Sequence, residues 1–238
     1  MLQKERIIVL HTIKHSDTGI VVQCYGEKNG MEAFYFRVSS KNKIAFSHLH
    51  RLNIIDVVAY DNNSSMPTIK EVVPSSNLVR IRTDIFKSTI AIFMSELLLR
   101  SVREREGNPL LYSFLESSVN MLENMPGRSS NFHIYFMVHL CKLMGFMPTD
   151  NFTCNGMLFN PATASFETPA LASTGLFSKK ESLMLHNLMN TPAIELESIE
   201  SNGALRMSFA KKMIEYISLH LGTSFEIKSL DILHEVFN

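Results

Sequence analysis

The first 75 residues show the pattern of a small β-sheet domain. Short segments rich in β-branched and aromatic residues alternate with turn-forming residues, and Asn29-Gly30 is a strong signal for a β-hairpin. Five such segments in so short a stretch favour a small closed barrel of the OB type, because closure leaves no exposed strand edge. The predicted strands are 7–13, 19–25, 31–38, 53–60 and 67–73.

Beyond a Pro-Ser-Ser-Asn stretch at 74–77, the spacing of apolar residues becomes helical. We therefore predict an α+β multidomain protein, with a five-stranded barrel over 1–76 and an all-α domain over 77–238 that contains an irregular insertion at about 149–176. Asn108-Pro109, a Ser178–Glu181 capping box and Gly222 mark helix ends. The predicted helices are 84–105, 109–124, one within 131–148, 178–190, 204–221 and 229–237.

The segment 131–148 is apolar on nearly all sides of its predicted helix. Such a helix lies in a core or in a membrane, and this one is too short to span a bilayer and is interrupted by His133, His139 and Lys142. A residue of 129–131 can cap its start, and Gly145 and Pro148 end it. We predict that it is the core helix of the second domain.

The composition indicates a globular protein with no overall preference for charged partners. Apolar residues make up 45% of the chain and the formal net charge is zero, so any surface for a charged partner must be local. The three cysteines, Cys24, Cys141 and Cys154, form no Cys-x-x-Cys pair, which argues against disulfides. The chain does not begin like a signal peptide, so we expect a reduced, cytoplasmic protein without a membrane contact or cofactor.

No arrangement typical of a catalytic site stands out. The glycine-rich phosphate loop, the nucleophile elbow and the His-Glu-x-x-His motif are all missing from the sequence. His133 and His139 are six positions apart and would face different directions on a helix, so they cannot chelate one ion. We expect both to be packed within the helical domain, and we expect no enzymatic activity.

A basic window at 33–55 contains no Asp or Glu. Cations next to aromatic side chains on a small barrel are typical of a surface for a nucleic acid strand, with phosphates on the cations and bases on the rings. The alternative is an ordinary solvated surface whose aromatic residues face the barrel core. The cations are Arg37, Lys41, Lys43 and Arg51, with Arg80 and Arg82 as possible extensions, and the aromatics are Phe34, Tyr35, Phe36 and Phe46.

The order and spacing of several segments resemble those of the RecO family of bacterial DNA repair proteins. The closest match is Ser-Glu-Leu-Leu-x-Arg-x-Val-Arg-Glu-x-Glu-x-Asn at 95–108, and the end of the apolar segment, Leu-Met-Gly-Phe-Met-Pro at 143–148, is similar to that family's Leu-Gly-Phe-x-Pro. The likeness is strongest to the Bacteroides-like branch. The other matching segments are 8–22, 25–30, 131–132 and 216–230.

The resemblance implies an OB barrel followed by a helical domain, and a function in DNA repair. It implies binding of single- and double-stranded DNA, annealing of complementary strands, contact with RecR and with the acidic C-terminal tail of single-strand-binding protein, and indirect help in loading RecA at the nucleoid. On this basis we expect Lys14 and His15 to join the phosphate contacts. Candidates for partner binding are Arg100, Arg103, Arg105 and Lys142.

One departure concerns the four zinc-ligating cysteines that many members of the family carry after the core helix. Here that region contains Cys154 alone, and one thiol cannot hold a structural zinc ion. We therefore expect no zinc ribbon, with the insertion held by apolar residues. The barrel segment has nine Lys and Arg against seven Asp and Glu, so we expect moderate, salt-sensitive DNA affinity. The zero net charge supports the alternative function, a protein-interaction scaffold whose barrel docks a partner protein and has little DNA affinity.

Overall fold

The structure is a computed structural model that describes residues 2–60, 66–169 and 175–237 of the 238-residue chain. The chain folds into two compact units. The first unit contains Met1–Asp84 and Ser95–Asn124, and the second contains Ile85–Met94 and Met125–Asn238. The predicted boundary at residue 76 follows the last barrel strand, whereas this division also places the helical residues Ser95–Asn124 with the barrel.

The five predicted strands form a closed barrel, which confirms the predicted fold. They are β1 (Leu2–Ser16), β2 (Gly19–Gly26), β3 (Gly30–Arg37), β4 (Ile54–Tyr60) and β5 (Thr68–Pro74). Their order is β1-β2-β3-β5-β4, with β3 and β5 parallel and the other neighbours antiparallel. The long strand β1 closes the barrel, because its first half pairs with β4 and its second half with β2 across a register shift near Leu10.

Alternate strand residues fill the barrel interior, among them Val22, Phe34 and Phe36. An unpredicted 3₁₀ turn (Ser40–Asn42) and a short helix α1 (Lys43–Ser47) connect β3 to β4. Ala45 of α1 and Leu49 pack against the barrel core. A helix of five residues shows too little of the helical period to be recognised from sequence, which explains why this element was missed.

Besides α1, three helices contribute to the first unit: α2 (Val79–Thr83), the second half of α3 (Ile85–Ser101) and α4 (Pro109–Asn124). The prediction that α3 continues to Arg105 is wrong, since it ends at Ser101. Residues after it bond to the β2–β3 turn instead, with Met31 N donating to Glu104 O (2.8 Å) and Gly107 N donating to Lys28 O (2.9 Å).

The second unit is built around α5 (Phe132–Leu143), which packs against α6 (Lys179–Asn190) and α7 (Gly203–Leu221). Eight of the twelve residues of α5 are buried, which confirms its prediction as a core helix. His133 is fully buried, and His139 Nε2 lies 3.2 Å from the Leu188 carbonyl oxygen, so both histidines are packed as expected. A 3₁₀ segment (Ala193–Ser198) and α8 (Ser229–Phe237) also belong to this unit.

The predicted irregular insertion contains a small hairpin that the sequence analysis missed, β6 (Leu158–Asn160) and β7 (Ser165–Glu167). Phe159 and Phe166 are buried with ring centroids 5.4 Å apart, and Phe152 packs on Phe166 at 5.1 Å. Aromatic packing therefore holds this region, as predicted. Residues 170–174 of the predicted insertion lie outside the described residues. Cys154 is exposed, and no group of three or more His, Cys, Asp or Glu side chains in the described ranges could hold a metal ion.

Candidate nucleic-acid interface

Three of the predicted phosphate contacts lie around the β1–β2 turn. Arg37 is the last residue of β3, is exposed, and lies next to this turn. Lys14 is also exposed, but its Nζ lies 3.3 Å from Asp17 Oδ1, so its charge is largely balanced. His15 packs edge-on against Tyr35, with the ring centroids 6.0 Å apart. Of the three, Arg37 gives this turn most of its positive charge.

The β3–β4 connection adds Lys41 and Lys43, which are both exposed. Asn42, between them, fixes the connection. Its Oδ1 accepts a hydrogen bond from Ser39 N (2.7 Å), and its side-chain amide donates to the backbone carbonyl of Arg37. These bonds tie the connection to the end of β3. The structure thus brings Arg37, Lys41 and Lys43 together at this end of the barrel.

Arg51 lies on the same connection and contacts β1. Its Nη2 is 2.9 Å from His11 Nδ1. A guanidinium only donates hydrogen bonds, so His11 Nδ1 is the acceptor and carries no proton. Burial lowers the pKa of His11, and the charge of Arg51 lowers this pKa further. His11 was not singled out from the sequence, because its contact with Arg51 joins residues forty positions apart.

Arg82 and Arg80 belong to α2 and have different surroundings. Arg82 is exposed, and its positive charge helps to lower the pKa of His50, which burial lowers most. Arg80 instead contacts the end of α4: its Nη1 donates to Asn124 O (3.4 Å), and its backbone N donates to Glu123 Oε1 (2.8 Å). Among the predicted contacts, Arg82 therefore lies near His50, whereas Arg80 serves the junction of α2 and α4.

The aromatic residues of the basic window divide into two pairs. Phe34 and Phe36 are buried in the barrel core. For these two residues the alternative interpretation, aromatic side chains that face the core, is therefore correct. Tyr35 is half-buried on the outer face, and Phe46 is 45% exposed on α1. Tyr35 and Phe46 are therefore the two members of this set with ring surface available for stacking on bases.

The candidate partner-binding residues are all exposed. Arg100 lies in the last turn of α3, whereas Arg103 and Arg105 follow that helix and line a cleft of about 1030 Å³ in the first unit. Lys4 and Lys28 line the same cleft, with Met31, Met66 and Pro67 as apolar neighbours. Lys142, near the end of α5, belongs to the second unit.

The cleft also contains a pair of carboxylates that the sequence analysis missed. Glu5 is 3% exposed, and a Cβ atom added to Gly26 would meet both its Oε1 and the Oε1 of Glu32. Lys28 N donates to Glu5 Oε1 (2.6 Å), and Asn29 Nδ2 donates to Glu32 Oε2 (3.2 Å). Burial, with the nearby charge of Glu5, raises the pKa of Glu32 to about 7. This pair therefore holds a proton over part of the neutral pH range.

The barrel and its surface define a class of protein. A closed five-stranded barrel in the order β1-β2-β3-β5-β4, with a helix between β3 and β4, is an OB-fold, and it is followed here by a helical region. Exposed cations and the exposed ring of Phe46 lie at one end of this barrel. No helix in the described part of the chain is long and apolar enough to cross a membrane.

Comparison with known proteins identifies the family. The family model "Recombination protein O C terminal" matches residues 82–230. The "DNA repair protein RecO" of Bacteroides fragilis is 32% identical over 243 residues, and that of Azobacteroides pseudotrichonymphae is 27% identical over 241 residues, each over the full length of both chains. That of Flavobacterium psychrophilum is 31% identical over 99% of both chains. The chain therefore belongs to the RecO family of DNA repair and recombination proteins.

Proposed function

We propose that this protein is a non-catalytic mediator of DNA repair and recombination in the bacterial cytoplasm. It binds single- and double-stranded DNA through its barrel and anneals complementary strands. With RecR and single-strand-binding protein it promotes the loading of RecA onto single strands. The observation that carries this proposal is the grouping of Arg37, Lys41 and Lys43 at the end of a barrel in a chain of the RecO family.

The arrangement of these groups supports DNA as the ligand. Arg37, Lys41 and Lys43 are exposed on adjoining segments, which suits neutralisation of successive phosphates. Phe46, on the helix that begins at Lys43, exposes an aromatic ring on which a base can stack. Phosphate contacts of this kind carry no sequence information, so the proposed binding is not sequence-specific.

A salt titration tests this proposal. Anisotropy of a labelled single strand is measured from low salt to about 200 mM. The double variant K41A/K43A is expected to weaken binding and to reduce the slope of log K against log salt by about two, or about one per lost phosphate contact. A matched control is K179A/K180A, which removes two exposed lysines at the start of α6. An unchanged slope in K41A/K43A would place the phosphate contacts elsewhere.

The alternative function makes the opposite prediction in the same experiment. A scaffold whose barrel docks a partner protein would bind no DNA even at low salt, and this result would overturn the DNA-mediator proposal. Ile44, which is 79% exposed next to Lys43, gives such a scaffold an apolar contact point. Strand annealing in the presence of single-strand-binding protein, with and without its C-terminal tail, then tests whether DNA binding and partner binding act together.

For the acidic tail of single-strand-binding protein, we propose the cleft lined by Arg103 and Arg105. The cleft combines cations with apolar side chains, which suits an acidic peptide that ends in an aromatic residue. Protonation of Glu32, whose pKa is about 7, reduces the negative charge that such a peptide would meet. The variant R103A/R105A is expected to lose affinity for a tail peptide, while K142A retains it. Equal losses in both variants, or a loss in K142A alone, would exclude this cleft.

A further inference from the structure

Three segments of the first unit lie close to one another around Arg51 and His50. His11 comes from β1, His48 and His50 come from the β3–β4 connection, and Arg82 comes from α2. The hydrogen bond from Arg51 Nη2 to His11 Nδ1, at 2.9 Å, joins the first two segments. His50 Nδ1 lies 3.3 Å from the carbonyl oxygen of Arg51.

The two histidines are surrounded by positive charge. The charged group that acts on His11 is Arg51, and those that act on His50 are Arg82 and His48. Burial, which favours the neutral imidazole, is the larger cause of the lowered pKa of both residues. Both causes favour the neutral imidazole, in His11 next to Arg51 and in His50 near Arg82.

The backbone that presents Arg51 is firmly held. Leu52 adopts a positive φ of 60°, a conformation that L-residues rarely adopt, and its side chain is buried. Leu52 N donates to Val9 O (2.6 Å), and Val9 N donates to Asn53 O (3.0 Å). These bonds fix the connection to β1. Strained residues that are held in this way cluster at binding sites.

Asn53 extends this support to the segment before α2. It is 1% exposed, and its Nδ2 donates to His48 O (2.8 Å). Its Oδ1 accepts a hydrogen bond from Ser76 Oγ (2.9 Å), three residues before α2 begins. The same asparagine thus connects the segment that carries His50 and Arg51 with the segment that leads to Arg82.

We propose that Arg51, Arg82, His11 and His50 form a phosphate-binding cluster, and that binding of DNA there is coupled to proton uptake by the two histidines. The inference rests on the proposed DNA-binding function. A phosphate oxygen that pairs with Arg51 draws the guanidinium from His11 Nδ1 and places negative charge next to the imidazoles. Protonated His11 and His50 then donate hydrogen bonds to the same phosphates.

The coupling has a definite sign. The bound phosphate raises the pKa of both histidines. Binding therefore takes up protons at pH values between the pKa of each histidine in the free protein and its pKa in the complex. DNA affinity therefore rises as the pH falls through this range. Each proton taken up contributes at most tenfold per pH unit, so we expect about three- to tenfold tighter binding at pH 6 than at pH 7.5.

The test measures the affinity for labelled oligo(dT) at constant ionic strength between about pH 5.5 and 8.5, where thymine does not titrate. The double variant H11Q/H50Q is expected to bind at high pH but to lose most of the pH dependence. The control H220Q changes an exposed histidine of the second unit, and its DNA affinity is expected to depend on pH as that of the unaltered protein does. Circular dichroism verifies that each variant is folded.

A second measurement needs no variant. The imidazole proton resonances of His11 and His50 are followed by NMR with and without oligo(dT), and both midpoints are expected to move to higher pH in the complex. Binding that does not depend on pH, unmoved midpoints, or a full pH dependence in H11Q/H50Q would each overturn this proposal and leave the DNA-binding function intact. An absence of binding at every pH and at low salt would overturn both.

Discussion

Replacing Glu32 with Gln is expected to stabilise the protein at neutral and alkaline pH. The carboxylates of Glu32 and Glu5 face the same position next to Gly26, and one oxygen of each is buried without a hydrogen-bond donor among the described residues. Ionised Glu32 thus faces another carboxylate with little solvent. Gln keeps the size of the side chain and the acceptor that Asn29 and Gln3 use, but it cannot ionise.

The magnitude follows from the pKa of Glu32, which burial and the charge of Glu5 raise from 4.5 to about 7. The folded protein therefore binds the Glu32 proton more tightly than the unfolded chain does. The contribution of Glu32 to stability is therefore largest below about pH 4.5, falls as the pH rises to about 7 and is then constant. A pKa change of this size corresponds to at most about 3 kcal/mol. Because Glu32 is partly exposed and solvent weakens the effect, we expect about 1–2 kcal/mol.

The assay is urea unfolding of the unaltered protein and E32Q at several pH values from about 5 to 8.5. The two proteins should differ little at the acidic end, and E32Q should be the more stable at the alkaline end. The control E71Q changes an exposed glutamate of β5, whose Oε1 lies 3.9 Å from Lys70 Nζ, and should shift stability by less than about 0.5 kcal/mol. If E32Q is destabilised at pH 8, or if its effect is the same at every pH, the proposed charge repulsion is refuted.

Two further substitutions test the packing of each unit. G107A places a methyl group against the backbone carbonyls of Lys28 and Glu27, and it should lower the stability measured by thermal or urea unfolding by about 2 kcal/mol or more. The control G156A adds a methyl group where the surrounding space is open, and it should change stability by less than about 1 kcal/mol. N131A removes a side chain that is 3% exposed and hydrogen-bonds to Leu196 O (3.0 Å), Ile199 O (2.9 Å) and Ser201 Oγ (2.6 Å). This variant should therefore lose about 2–4 kcal/mol of stability. A loss below about 1 kcal/mol would show that these bonds contribute little.

Elements whose pattern is local could be predicted from the sequence. Each barrel strand carries its own β-branched residues and turn signals, and the capping box at Ser178 is contained within four residues. The structure confirms it, with Glu181 N donating to Ser178 Oγ (3.3 Å) and Ser178 N donating to Glu181 Oε2 (2.7 Å). The left-handed Gly222 at the end of α7 is equally local, with φ of 64°. The basic surface of Arg37, Lys41 and Lys43 belongs to this group as well, because its members are close in sequence.

Features that depend on pairing between distant segments could not be predicted. Asn131 illustrates this, because its position before α5 suggested an N-cap. Its side chain makes no capping bond and instead holds the 3₁₀ segment sixty-five residues later. The contact of His11 with Arg51 and that of Glu5 with Glu32 likewise depend on strand register, which sets which side chains become neighbours.

The distribution of charge along the barrel reconciles zero net charge with the proposed DNA-binding surface. Glu5 and Glu32 lie near the beginnings of β1 and β3, whereas Lys14 and Arg37 lie near the ends of the same strands. Along β1 this separation is nine residues, or about 30 Å, which exceeds the screening length of about 8 Å in physiological salt. The carboxylates therefore do little to weaken the attraction of a phosphate to the other end.

Local compensation strengthens this conclusion. Near the carboxylate pair, Lys4, Lys28, Arg103 and Arg105 line the same cleft, so the negative charge of Glu5 and Glu32 is compensated locally. At the opposite end, Asp17 balances Lys14, while Arg37, Lys41 and Lys43 lie in a stretch of sequence without acidic residues. The positive field at the end where Phe46 is exposed therefore comes from cations that have no acidic neighbours in sequence. The net charge of the whole barrel underestimates this field. It sums the charges of two ends whose interaction is screened by ions in solution.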